Sequence, residues 1–102
     1  MIINESIILN GVGEFVLFQG IMFALGYKWY RRFSYPKDMD CKQLLSMDCL
    51  PINFDMENNG LIIQIWDDGD IEYAVEKYKL DSYLTFEEFL DYVEQNDIRY
   101  NG

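Results

Sequence analysis

The residues of this chain best suited to chemistry are carboxylates, and their excess over bases lies entirely in its second half. Residues 1–51 contain five acids and five bases, whereas residues 52–102 contain thirteen acids and three bases. The whole formal net charge of −10 therefore comes from residues 52–102. Net charge affects solubility, repulsion and the choice of partner more than it affects the fold. A one-sided acidic surface repels nucleic acid and attracts basic proteins, which is the strongest indication of function in the sequence.

Two clusters of acids in that half predict a protein-binding surface. One lies at the tip of a predicted hairpin, and the other follows one face of a predicted helix in steps of about 6 and 4.5 Å. Such a row is sparser than the charges of duplex DNA, which recur about every 1.7 Å of axis, but it can occupy the same basic groove. The predicted surface, DNA-mimicking in this interpretation, comprises Asp67, Asp68, Asp70, Glu72, Glu87, Asp91 and Glu94.

The simpler interpretation of these acids is that they only keep the surface solvated. For the helix taken alone this simpler interpretation is favoured, because charged helix faces are ordinary in soluble domains. The confinement of the whole charge excess to one half of the chain weakens the preference for the simpler interpretation without reversing it.

A second candidate site is the aromatic and basic segment at residues 27–33. Cations that pair with phosphate beside rings that stack on bases suit a phosphorylated nucleotide. The favoured interpretation is instead an edge strand whose bases prevent aggregation while its rings fill the core. The residues that would bind a nucleotide or phosphate are Lys28, Tyr30, Arg31 and Arg32.

Other kinds of site have little support in the sequence. The absence of histidine removes the commonest general base and metal ligand. Cys41 and Cys49 form no C-x-x-C pair and are typical of reduced thiols. The DDGD segment at residues 67–70 lacks the spacing of an EF-hand loop. We therefore expect a protein that is not an enzyme and that uses no metal and no cofactor.

The elements that must position these residues predict a single α+β domain over residues 1–102. Strands are predicted at residues 2–9, 27–33, 50–55, 61–66 and 70–75, with a short helix between 38 and 47. An apolar helix is predicted at about 12–25, too short for the roughly 20 residues that cross a membrane. We expect a small, mainly antiparallel sheet packed on this buried helix. In the hairpin, a two-residue loop of Asp68 and Gly69 would place Trp66 opposite Ile71.

The acidic amphipathic helix that ends the predicted domain, at about residues 86–96, has clear local signals. Thr85 and Glu88 match a capping box, and Leu84 and Phe89 match a hydrophobic staple. Its predicted inward stripe, opposite the acids, consists of Phe86, Phe89, Leu90 and Val93.

With those motifs in view, the chain resembles the small accessory proteins that tailed bacteriophages encode. The resemblance lies in an apolar helix running into LGYKW (residues 25–29), a hairpin DDGDIEY (67–73) and a closing LTFEEFL (84–90). It implies a protein that acts in the cytoplasm of an infected bacterium and binds and inhibits host or defence factors. The motifs are structural, so the resemblance brings no functional residues with it.

These observations lead to one expected function and two alternatives. The expected function is non-enzymatic inhibition of a basic host protein, related to defence or nucleic-acid handling, through the acidic surface. Direct binding to nucleic acid or membrane is not expected. The first alternative is a small-molecule binder that sequesters a phosphorylated signalling nucleotide. The second is a structural accessory subunit whose apolar helix forms a homodimer.

Overall fold

The computed structural model of the protein describes residues 5–30, 42–44, 61–73 and 83–100, which form an α+β fold. Its elements in chain order are β1 (Glu5–Leu9), α1 (Val12–Ala24), β2 (Lys28–Trp29), β3 (Leu61–Ile65), β4 (Asp70–Tyr73) and α2 (Phe86–Gln95). The predicted fold class and both long helices are confirmed. The strand predicted at 50–55 and the short helix predicted between 38 and 47 lie outside the described residues, apart from 42–44.

The four described strands form one mixed sheet in the order β1-β3-β4-β2. β3 pairs antiparallel with both β1 and β4, whereas β2 pairs parallel with β4. It follows that β1 and β2 run in the same direction, joined by α1, with the β3–β4 hairpin inserted between them. A helix is the usual connection between parallel strands, because the chain has to cross back over the sheet.

One face of the sheet and one face of α1 form the core. Alternate residues of β3 (Leu61, Ile63 and Ile65) are fully buried, as the two-residue period of a strand requires. From α1, Phe15, Phe18 and Met22 pack in the same core cluster. Burial of one such side chain contributes about 1.5–3 kcal/mol. The helix predicted at 12–25 is present, but the prediction that it is a buried helix is correct for one face only, since Val12, Val16 and Leu17 are exposed.

The hairpin loop has three residues, 67–69, and so begins one residue earlier than the predicted two-residue loop. Ile65, not Trp66, lies opposite Ile71. The Trp66 amide donates to the Asp70 carbonyl (2.9 Å), and the Gly69 amide donates to the Trp66 carbonyl (3.3 Å). Gly69 has φ +92°, so a three-residue loop ends in a left-handed glycine. This register directs Ile65 and Ile71 into the core and leaves the Trp66 side chain exposed.

α2 begins at the predicted capping box. The Thr85 side chain accepts from the Glu88 amide, and the Glu88 carboxylate accepts from the Thr85 amide, both at 3.2 Å. Just before it, Leu84 adds a parallel bridge beside Ile7, on the edge of β1 that faces away from β3. α2 then packs Phe89 edge-on against Phe18 of α1, with ring centroids 5.1 Å apart.

Residues 97–100 run from α2 to the segment that connects α1 with β2. The Tyr27 hydroxyl donates to the buried Ile98 carbonyl (2.8 Å), and the Tyr100 amide donates to the Leu25 carbonyl (2.8 Å). Tyr100 also packs so closely on Gly26 and Gly69 that neither position has space for a Cβ. Both glycines have a positive φ as well, so they are needed for conformation and for close approach.

Candidate protein-binding surface

The acids predicted to form a surface on α2 are exposed in the structure. Glu87, Asp91 and Glu94 are on the solvent side of the helix, while Phe89 is buried and Val93 is partly buried. Leu90 was predicted to face inward, but it is 40% exposed. The last turn of α2 contains no basic residue. A carboxylate near the negative C-terminal end of a helix is unfavourable by about 0.3–1 kcal/mol. Glu94 therefore lies where it lowers the stability of its own helix.

The acids of the hairpin loop divide into an exposed pair and a pair engaged within the chain. Asp67 and Asp68 are exposed, and the Asp68 carboxylate accepts from the Asp70 amide at 3.1 Å. Asp70 is only 8% exposed and forms an ion pair with Lys28. Glu72 is half-buried and accepts from the Trp66 indole N–H at 2.8 Å. Five of the seven predicted acids thus remain exposed, whereas Asp70 and Glu72 are tied to neighbouring side chains.

The chain path brings the hairpin loop and the C-terminal end of α2 to the same end of the molecule. Tyr100 connects them, because its ring lies on Gly69 while its backbone reaches the end of α1 at Leu25. We call the exposed carboxylates carried by these two segments the acidic end. It consists of Asp67, Asp68, Glu94 and Asp97.

The backbone adds negative potential at the acidic end. α1 and α2 both run toward it, and neither has a basic residue in its last turn. The C-terminus of each helix carries the equivalent of about half a negative charge. Arg99, which is exposed, is the base that residues 97–100 bring to this region. Four carboxylates and two helix ends outweigh it, so the end is electronegative.

Two acids at or near this end were not among the site residues predicted from the sequence. Glu5 lies opposite Ile65, two residues before the hairpin loop, and Asp97 follows Asn96, the C-cap residue of α2. Burial and, after it, the negative charge of Glu5 raise the pKa of the Tyr92 phenol above its ordinary value. Asp97 could have been found by extending the acidic helix by one turn, but Glu5 depends on the strand register.

The aromatic and basic candidate site is described only in part. The Lys28 side chain is 51% exposed, and its ammonium is paired with Asp70. Trp29 is buried, and its indole N–H donates to the side-chain amide oxygen of the buried Gln19 at 2.9 Å. Tyr30 is half-buried, and Arg31 and Arg32 lie outside the described residues. Lys28 is thus engaged with an acid, and Trp29 lies in the core, which agrees with the part of the edge-strand interpretation that assigns the rings to the core.

Within the described parts of the chain, no three or more Asp, Glu, Cys or His side chains are grouped closely enough to hold a metal ion. In the same residues, neither helix is both long and apolar enough to cross a membrane.

Comparison with known proteins found no matching protein-family model, no matching curated protein and no matching solved structure.

Proposed function

We propose that the protein is a non-enzymatic binding protein whose acidic end and α2 carboxylates occupy a basic, nucleic-acid-binding surface on another protein. The observation that carries the proposal is the convergence of Asp67, Asp68, Glu94 and Asp97 at the end where both helices terminate. Opposite potentials across an interface accelerate association and exclude partners of the wrong charge.

The carboxylates of α2 lower the stability of their own helix, which supports a role for them in binding. Asp91 lies one helical turn after Glu87, and like charges at this spacing repel one another. Glu94 adds a further charge where the helix dipole disfavours it. A surface that needed only solubility would place bases in the last turn of α2, because bases there stabilise the helix and also keep it solvated.

The resemblance to phage accessory proteins supplies the proposed setting. In this proposal the partner is a host defence or nucleic-acid-handling protein in the bacterial cytoplasm, and binding inhibits it by excluding its nucleic acid. The nucleotide-binding alternative is less well supported, since Lys28 already pairs with Asp70.

The test begins with a triple charge reversal, Glu87→Lys, Asp91→Lys and Glu94→Lys. The native chain and the variant are each used to capture proteins from a bacterial lysate at low and high salt. A captured protein counts as the partner only if, once purified, it binds duplex DNA and releases that DNA on addition of the native chain. We expect the variant to capture none of it and to release no DNA, and we expect high salt to weaken native binding.

A matched pair of single variants separates local from overall charge. Glu94→Gln and Glu14→Gln each remove one negative charge. Glu14, however, lies far from the acidic end in the first turn of α1, where its carboxylate accepts from the backbone N–H of Asn10 at 2.9 Å. Glutamine keeps an oxygen that can accept this bond. Only Glu94→Gln should weaken binding to the purified partner. Equal effects of the two variants, or normal inhibition by the triple variant, would show that the α2 carboxylates are not the contact.

A further inference from the structure

Residues 97–100 belong to neither a helix nor a strand, yet they pack on distant parts of the chain. Ile98 is 1% exposed, and its carbonyl accepts from the Tyr27 hydroxyl at 2.8 Å. The Tyr100 amide donates to the Leu25 carbonyl, also at 2.8 Å. The rings of Tyr100 and Tyr27 lie with their centroids 6.0 Å apart. The segment is thus held by specific partners from the region where α1 meets β2.

Two glycines from different parts of the fold form a seat for Tyr100. Gly26 lies against the Tyr100 backbone and Gly69 against its ring, and a Cβ at either position would overlap with Tyr100. Positive φ alone also permits residues such as asparagine, whereas this close approach leaves no space for any side chain. The seat therefore fits Tyr100 itself, which distinguishes residues 97–100 from a segment that only trails from a helix.

The three elements that meet at this seat are each closed by their own hydrogen bonds. At the end of α1 the Tyr27 amide donates to the Met22 carbonyl at 2.9 Å. At the end of α2 the Asn96 backbone and side-chain N–H groups both donate to the Tyr92 carbonyl at 3.0 Å. The hairpin loop is closed by the backbone bonds described above. The segment can therefore detach without breaking the bonds that end either helix or close the hairpin.

We infer that residues 97–100 form a latch, which opens and closes while the sheet and both helices stay folded. In the closed state the Tyr100 ring packs on Gly69 and fixes the hairpin loop. In the open state Ile98 and Tyr100 leave the core and the loop loses this support. Local opening of this kind is ordinary for segments with few buried contacts.

The latch has a consequence for binding, and this consequence rests on the proposed function. The hairpin loop carries Asp67 and Asp68 of the acidic end. A loop fixed before it meets a partner has less conformational freedom to lose on binding. Closure of the latch would thus favour the binding-competent form of the acidic end. The experiments below use the protein without any partner, so their outcome does not depend on the proposed function.

Hydrogen exchange of the native protein, followed by NMR, tests the latch through the Tyr100 amide. The amides of β3, the strand between β1 and β4, are the reference. The Tyr100 amide should exchange at least about tenfold more slowly than in an unfolded peptide, but at least about tenfold faster than the most protected β3 amides. Low concentrations of urea should accelerate only the β3 amides, because opening the latch exposes little surface.

Two results of this experiment would overturn the inference. A Tyr100 amide with the same protection and urea dependence as β3 would open only when the whole protein unfolds. A Tyr100 amide without any protection would mean that the closed state does not form in solution.

Tyr100→Ala tests whether the latch fixes the hairpin loop, and Arg99→Ala is the matched control on an exposed residue of the same segment. In Tyr100→Ala the amide at position 100 should lose its protection and the Gly69 backbone should gain nanosecond mobility in NMR relaxation, while the β3 amides stay protected. Arg99→Ala should behave like the native chain. Unfolding of the sheet by Tyr100→Ala, or an equally rigid Gly69, would show that the segment is not a separable latch.

Discussion

The two helices of this protein are alike on the inside and opposite on the outside. Both bury aromatic residues in one core, where Phe18 of α1 meets Phe89 of α2. Their exposed sides differ completely, since α1 presents Gly13, Leu17 and Gly20, and α2 presents a row of carboxylates. Packing against the sheet determines the inward residues and leaves the outward ones unconstrained. The different exposed residues of the two helices are therefore evidence about binding partners, whereas their similar buried residues are evidence about stability.

The largest effect is expected from neighbouring residues on the two sides of α1. Phe18→Ala should destabilise the protein by about 3–5 kcal/mol, because it leaves a cavity between α1 and α2. Leu17→Ala, one residue away but exposed, should change the free energy of unfolding by no more than about 0.5 kcal/mol. Urea unfolding of both variants measures the difference. It should be done at a concentration where the chain is monomeric, and similar losses would mean that α1 is not buried on one side only.

The next effect compares two glycines within and just after α1. Gly26→Ala should destabilise by at least about 1 kcal/mol, because Gly26 has φ +95° and touches Tyr100. Gly20→Ala should stabilise the monomer by up to about 1 kcal/mol, because the position is helical, exposed and open. Thermal unfolding of dilute samples reports both signs. If Gly20→Ala were destabilising, the glycine would have a role inside the fold.

A smaller effect should appear on the outer side of α2. Glu94→Lys should stabilise the protein by about 0.3–1 kcal/mol, because it removes an acid from the last turn and supplies a base there. The same variant should bind the proposed partner less well. Urea unfolding at low and at high salt checks the first part, since screening should reduce the gain. A loss of stability would indicate that Glu94 has a structural partner.

The smallest effect is confined to alkaline pH. The pKa of Tyr92 is raised in the folded protein by burial and by Glu5, so the unfolded chain loses this proton first as pH rises. The contribution of Tyr92 to stability is therefore complete below the ordinary phenol pKa of about 10 and is lost above it. Tyr92→Phe should make stability less dependent on pH in that range. An unchanged pH profile would place Tyr92 in a more open environment.

Local signals in the sequence were sufficient for part of this structure. The capping box at Thr85 and Glu88 located the start of α2, and the long apolar run located α1. The hairpin was identifiable, but its register was not, because loops of two and three residues can both place glycine at the position with positive φ. The parallel pairing of β2 with β4 joins residues about 42 positions apart, and no local pattern reports it.

The sequence allowed most residues of the candidate surface to be predicted, but not their positions relative to one another in the fold. Charge patterning identified Asp67, Asp68 and Glu94, yet it also included Asp70, whose pairing with Lys28 spans 42 residues. The convergence of the hairpin loop with the end of α2 depends on Tyr100 packing on Gly69. Nothing in the type of these two residues indicates that they meet, because the contact depends on the complete topology.

The strand order has a consequence for how the chain acquires its structure during synthesis. In the described sheet β1 pairs with β3 and β2 pairs with β4, so the two strands that precede residue 61 have neighbours only from the part that follows. A hairpin such as β3–β4 forms in about 1–10 µs, far faster than a ribosome adds a residue. We expect this hairpin to act as the template on which β1 and β2 assemble. Until it emerges, the apolar side of α1 has no sheet to cover it, which makes the nascent first half the stage most exposed to aggregation.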